Sequence, residues 1–247
     1  MTGGILEIFT INLALAALVV AASGIIRGFT GFGGGLLMAP LLTVLFGPVE
    51  AFAVFSAVSS VSYIPLYKRA VRLAFWPELA PLLAGIMVAT PAGVALLIVS
   101  DPDLVRRAIG VAVIFGALLM LTGWVYRGPR CIAASAIIGA ICGGINGFAG
   151  VGGPPMVIYF LGAPADTETQ RANILITTGL VSMMILVSVA IGGGVTEATM
   201  ARAAVLLPAS LFGTWAGVRL FAAAPGESYR PVVAWLLVAI GVGVIVI

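Results

Sequence analysis

The sequence predicts an all-α, polytopic transmembrane bundle of two five-segment repeats with glycine-broken helices, and three observations carry that prediction. Of 247 residues 62% are hydrophobic and 9% are charged, whereas a soluble domain carries about 25% charged residues. Apolar runs follow one another along the whole length, separated only by short polar or Gly/Pro punctuation. One glycine-rich pattern occurs twice, as Gly28-Phe29-Thr30-Gly31-Phe32-Gly33-Gly34 and Gly147-Phe148-Ala149-Gly150-Val151-Gly152-Gly153, 119 residues apart from Gly28 to Gly147. A fixed offset between matching apolar stretches marks a duplicated membrane unit.

At roughly 20 apolar residues per span the chain holds about nine or ten segments, some of them short, and leaves no soluble domain. The balance of 12 basic against 9 acidic residues reports loops and orientation in a membrane protein. No basic run points to nucleic acid. Cys131 and Cys142 lie in one apolar stretch without further ligand types at metal spacing, so they read as small packing residues, with no metal or cofactor expected. The N-terminus lacks a basic region and carries Glu7, which makes Ile5 to Ile26 a first span rather than a cleaved signal peptide.

The apolar runs are Ile5 to Ile26, Leu36 to Phe46, Ala51 to Tyr67, Leu79 to Val99 and Ala108 to Tyr126 in the first half. Cys131 to Ile145, Met156 to Leu161, Ala172 to Ile191, Ala203 to Phe221 and Val232 to Ile247 follow in the second. The offset pairs Ala53 with Ala172 and Glu78 with Glu197, then drifts so that Ala92-Gly93-Val94 matches Ala216-Gly217-Val218. Arg127-Gly128-Pro129-Arg130 is a basic turn between the halves, which places the repeats at residues 1–127 and 131–247.

Upstream of each glycine block, Ala14, Ala17, Ala21, Gly24, Gly28 and Gly31 step by three and four, and Ala133, Ala136, Ala140, Gly143, Gly147 and Gly150 repeat the steps. On a helix these positions form a seam almost without side chains, which lets another backbone approach closely where lipid offers no hydrophobic drive. The first helix of each half therefore packs tightly, its repeat mate being one candidate partner.

Gly31, Gly33, Gly34 and Gly35, and Gly150, Gly152, Gly153, Pro154 and Pro155 in the second half, disfavour a continuous helix. Irregular backbone at membrane depth survives only when buried in protein or lining a wet cavity. Leu36 to Phe46 would rise about 16 Å, roughly half the hydrocarbon thickness, and so reads as a half-helix. Its N-terminus offers unpaired amides and a positive dipole end to an oxyanion.

Arg27 precedes the first block and brings a permanent charge with a planar fork of donors; its counterpart is the neutral Asn146. The same arginine near a helix end also reads as one snorkelling to headgroups. Thr30, Asn173, Thr177 and Ser59 are further candidate donors, with Arg171, Ser56, Ser60 and Thr178 beside them. Hydroxyls in membrane helices commonly bond their own backbone instead.

The blocks from Arg27 to Gly35 and from Asn146 to Pro155, with their spacing and apolar flanks, resemble the sulfite exporter TauE/SafE family, also called the toluenesulfonate uptake permeases. The resemblance covers essentially the whole chain. It implies a multi-pass permease of the bacterial inner membrane for small sulfur-containing or organic anions such as sulfite, sulfoacetate or sulfonates. It also implies exchange or coupling to an ion gradient. Arg27, Thr30, Gly31, Gly33, Gly34, Ser59, Asn146, Gly150, Gly152, Gly153, Asn173 and Thr177 are the expected substrate-binding set.

Five crossings per half make the repeats inverted, and the positive-inside rule then sets both termini outside. If the glycine segments dip in and return, each half crosses four times and the repeats run parallel. With no histidine, coupling to protons or sodium falls to carboxylates, with Glu50, Glu78 and Glu197 as candidates. Helix capping explains Glu78 and Glu197 equally simply. An anion channel shares every feature except alternating access, and an intramembrane enzyme lacks a nucleophile–base pair or metal constellation.

Overall fold

The computed structural model describes residues 11–223, and among them the chain forms nine helices and no strand. In chain order these are α1 (Ile11–Thr30), α2 (Gly34–Phe46), α3 (Pro48–Leu73), α4 (Trp76–Val99), α5 (Pro102–Leu121), α6 (Ile132–Ala149), α7 (Gly153–Leu161), α8 (Thr167–Ile191) and α9 (Glu197–Ala223). Six of them, α1, α3, α4, α6, α8 and α9, are long and apolar enough to cross a bilayer. The expected segment Val232 to Ile247 lies outside the described residues.

Local chemistry explains the helix ends. Asp166 caps α8 by accepting the Thr169 amide at 2.7 Å, and that bond holds its carboxyl below the usual range. Asp101 caps α5 through the Asp103 amide. Pro48 and Pro154 stand in the first turns of α3 and α7, where a missing N–H costs nothing. The first helix of each half runs beyond its apolar run, α1 to Thr30 rather than Ile26 and α6 to Ala149 rather than Ile145, because the backbone of another helix supports those glycines.

That support corrects one expectation. The seams do not close on each other: α1 packs along α9, and α6 along α4. A Cβ on Gly28 would stand 3.0 Å from the Cα of Gly217, and one on Gly147 would stand 3.1 Å from the Cα of Gly93. The first helix of each half thus lies on the fourth helix of the other.

Contacts also fix the sense of each helix. Gly24 and Gly28 meet Gly213 and Gly217 in order, so α1 and α9 run the same way. Glu50 pairs with Arg202 and Ser62 with Ser210, so α3 shares that sense. Gly139, Gly143 and Gly147 meet Leu82, Ile86 and Gly93, aligning α6 with α4. Phe75 bonds Asn173 while Ile98 touches Gly192, aligning α8 with α4. Between the two sets the sense reverses, since Arg69 pairs with Glu168 at one end of α3 and Val49 lies against Gly194 at the other.

The two short helices start inside and leave in opposite directions. Phe46, ending α2, lies under Arg202 near the beginning of α9. Near the end of α7, the Tyr159 carbonyl accepts from Arg130, which also pairs with Glu78 at the start of α4. Residues 31–33 separate α1 from α2 and residues 150–152 separate α6 from α7. Gly31 and Gly150 lie at φ 87° and 71°, left-handed values that a side chain resists. Their amides close matching bonds, Gly31 to the Arg27 carbonyl at 2.8 Å and Gly150 to the Asn146 carbonyl at 2.9 Å.

Candidate functional site

The two non-helical turns meet at the centre of the bundle. A Cβ on Gly35 would stand 2.7 Å from the Gly150 carbonyl oxygen, and one on Gly153 would stand 3.2 Å from the Phe32 ring. At this junction lies a cavity of about 30 Å³. Arg27, Phe32, Gly33 and Gly35 line it from the first half, with Ser59 and Tyr63 on α3. Asn146, Gly150 and Gly153 face it from the second half, with Thr178 and Ser182 on α8. Arg27 and Asn146, Ser59 and Thr178, and Tyr63 and Ser182 are all pairs at the repeat offset.

Arg27 dominates the electrostatics. It is 0% exposed, and among the described residues its guanidinium is in no salt bridge. Nη2 donates to Ser59 Oγ at 2.9 Å and Nη1 to Ser210 Oγ at 3.2 Å, with Met38 Sδ 3.5 Å from Nη2. The group stands 5.2 Å from the centre of the Tyr63 ring. Nε has no partner. A buried charge without a counter-charge costs several kcal/mol, a cost that charge-assisted bonds to an anion would offset. Gly34 admits the fork, since a Cβ there would lie 2.9 Å from Nη2.

The other expected residues divide into those on the cavity wall and those behind it. Arg27, Gly33, Ser59, Asn146, Gly150 and Gly153 line it. Thr30 bonds within the turn, its hydroxyl 2.8 Å from the Ile26 carbonyl and 2.7 Å from the Phe32 carbonyl and donating to one of them, and the Gly31 carbonyl lies 3.4 Å from the Tyr63 hydroxyl. Gly152 backs Asn146. Asn173 accepts the Phe75 amide; Thr177 and Thr178 both donate to their own helix, at the Asn173 and Ile174 carbonyls, and of the two Thr178 is on the wall.

The carboxylates lie elsewhere. Glu50 pairs with Arg202 and Glu78 with Arg130 at opposite ends of the bundle, and Glu197 is exposed in the first turn of α9. Tyr63, Ser182 and Ser210 were not singled out in the sequence. Tyr63 and Ser182 each follow a lining hydroxyl, Ser59 or Thr178, by four residues, so helical spacing combined with the repeat offset would have found them.

One turn beyond Tyr63 on α3, Leu66 belongs to a second cavity of about 540 Å³, with Arg69, Arg171 and Phe221 also on its wall. Arg171 donates to the Gly28 and Phe29 carbonyls at the end of α1. Tyr63 therefore stands between the small inner cavity and the wide outer one along α3.

Among the described residues, six helices long and apolar enough to cross a bilayer, with a buried arginine at a central cavity, define a polytopic membrane protein. The sequence matches the family model of the sulfite exporter TauE/SafE over residues 15–244, and the chain belongs to that family. No curated protein and no solved structure gives a match.

Proposed function

We propose that the protein is a secondary transporter that moves small sulfur-containing or organic anions, sulfite and sulfonates among them, by alternating access. The observation that carries this reading is Arg27, fully buried without a carboxylate and with an unpaired Nε at a cavity wall. A stable fold tolerates such a charge where a ligand completes it. The repeats are residues 1–127 and 131–247, inverted about an axis in the membrane plane. The opposite senses of α1 and α6, of α3 and α8, and of α4 and α9 support this arrangement. The glycine turns are breaks that bring the starts of α2 and α7 to one cavity.

The membrane is the bacterial inner membrane, with the wide cavity facing the cytoplasm. Lys68, Arg69, Arg72, Arg127, Arg130, Arg171 and Arg219 belong to that end of the bundle, against Arg106, Arg107 and Arg202 at the other, and the positive-inside rule supports this orientation.

The test is exchange of labelled sulfite in proteoliposomes of known orientation. Saturable exchange without conductance, lost in Arg27→Gln while the variant still inserts and folds, is the expected result. Flux carried as current makes the protein a channel, and undiminished exchange in Arg27→Gln removes Arg27 from the site.

A further inference from the structure

Resting on that reading of the Arg27 cavity as an anion site, we propose that it selects by charge, accepting a monoanion and rejecting a dianion of similar size. Fixed charge is counted first. Of the described residues on the cavity wall only Arg27 carries a formal charge, and no Asp, Glu or Lys is among them. Arg171 belongs to the outer cavity and is committed to the Gly28 and Phe29 carbonyls.

Helix dipoles do not change the count. The N-termini of α2 and α7 bring about half a positive charge each, and the C-termini of α1 and α6, ending at the same two turns, bring about half a negative charge each. These partial charges offset one another in pairs. One unit of positive charge remains.

The surroundings turn that count into selectivity. Phe32, Leu36, Phe55, Met156, Val181 and Ile185 make the wall largely apolar, and Arg27 is shielded from solvent, so surplus charge is poorly screened there. A monoanion makes the site neutral. A dianion leaves one negative charge buried without a partner, which is as unfavourable as the arginine alone. Ser59 accepts from Arg27 and so can turn its own hydroxyl proton to a ligand without adding charge, while Thr178 and Ser182 donate to carbonyls of their own helix. A volume of about 30 Å³ is room for about two water molecules, so the charge on the bound oxyanion cannot be spread into a hydration shell.

The experiment is a calorimetric titration of the purified full-length protein in detergent, from pH 5.5 to pH 8.5 as the chosen range, with methanesulfonate, sulfite and sulfate. Methanesulfonate is a monoanion and sulfate a dianion throughout, while hydrogen sulfite loses its second proton near neutral pH. The proposal expects affinity for methanesulfonate to be flat. Affinity for total sulfite should fall by about tenfold per pH unit above that ionisation, because only the monoanionic fraction binds. Sulfate should bind at least about tenfold more weakly than methanesulfonate at every pH.

Sulfate equal to methanesulfonate, or sulfite tightening as the pH rises, overturns the charge rule while leaving the anion site intact. No binding of any of the three, or equal binding by Arg27→Gln, overturns the anion site itself. Asn146→Arg adds a second guanidinium at the position the repeat assigns to Arg27; it should raise the sulfate-to-methanesulfonate affinity ratio by at least about tenfold, and an unchanged ratio in the folded variant counts against the charge rule.

Discussion

A guanidinium at 0% exposure, held by two serine hydroxyls and a thioether and flanked by a tyrosine face, costs stability in the absence of a counter-charge. Arg27→Met removes the buried charge at similar volume. Thermal unfolding of that variant without added anion should rise by a few degrees, while sulfite exchange is lost. A lowered midpoint would mean that Arg27 is structural. Gly34→Ala should weaken anion affinity by roughly tenfold with little change in unfolding temperature, since its Cβ would press on Nη2 and displace a charge-assisted contact worth about 1.5–3 kcal/mol. Calorimetry and thermal unfolding on the same sample check it. The chemical type of Arg27 is readable in the chain, but its depth is not, because a snorkelling arginine has the same letters around it. Thr177 and Thr178 show a similar limit: one residue is about 100° around a helix, and only packing decides which hydroxyl reaches the wall.

Along the helices, the two glycine blocks were the most legible feature. Two glycine blocks, a five-part plan and matched small-residue seams predict where turns and close approaches fall. The partner of each seam was not legible, because a stripe of Ala and Gly specifies closeness and not identity. The fourth helices supplied the complement through Gly93 and Gly217, which the drifting offset had already paired. Gly28→Val and Gly147→Val should each destabilise the protein by more than the about 1–3 kcal/mol typical of overpacking, because the new methyls meet backbone rather than flexible side chains. Gly110, with no atom near its would-be Cβ, is the control: Gly110→Ala should leave unfolding unchanged. Equal unfolding curves for the Gly147 and Gly110 variants would contradict the tight α4–α6 interface.

Over the whole molecule the two ends of the bundle differ. At the end where α3 finishes, Leu66, Arg69 and Ala70 border a cavity of about 540 Å³. At the other end the repeat-equivalent Ile185 and Val189 are buried, with Gly192 against Ile98 and Gly194 against Val49. In a background lacking Cys131 and Cys142, Arg69→Cys should react with an impermeant maleimide from the cytoplasmic side. Val189→Cys should be protected there and gain reactivity from the opposite side when anion drives exchange. Reactivity of both from one side would contradict inverted repeats. The reach of the two turns toward a common point was not legible either, since sequence spacing carries no depth. The measurement that bears most directly on the account is the position of a heavier sulfite analogue, by anomalous scattering from crystals soaked in selenite. An anion site at Arg27 places the strongest selenium peak within hydrogen-bonding reach, about 3 Å, of the guanidinium and beside Gly33. A strongest peak in the outer cavity at Arg69 or Arg171, with none at Arg27, would contradict it.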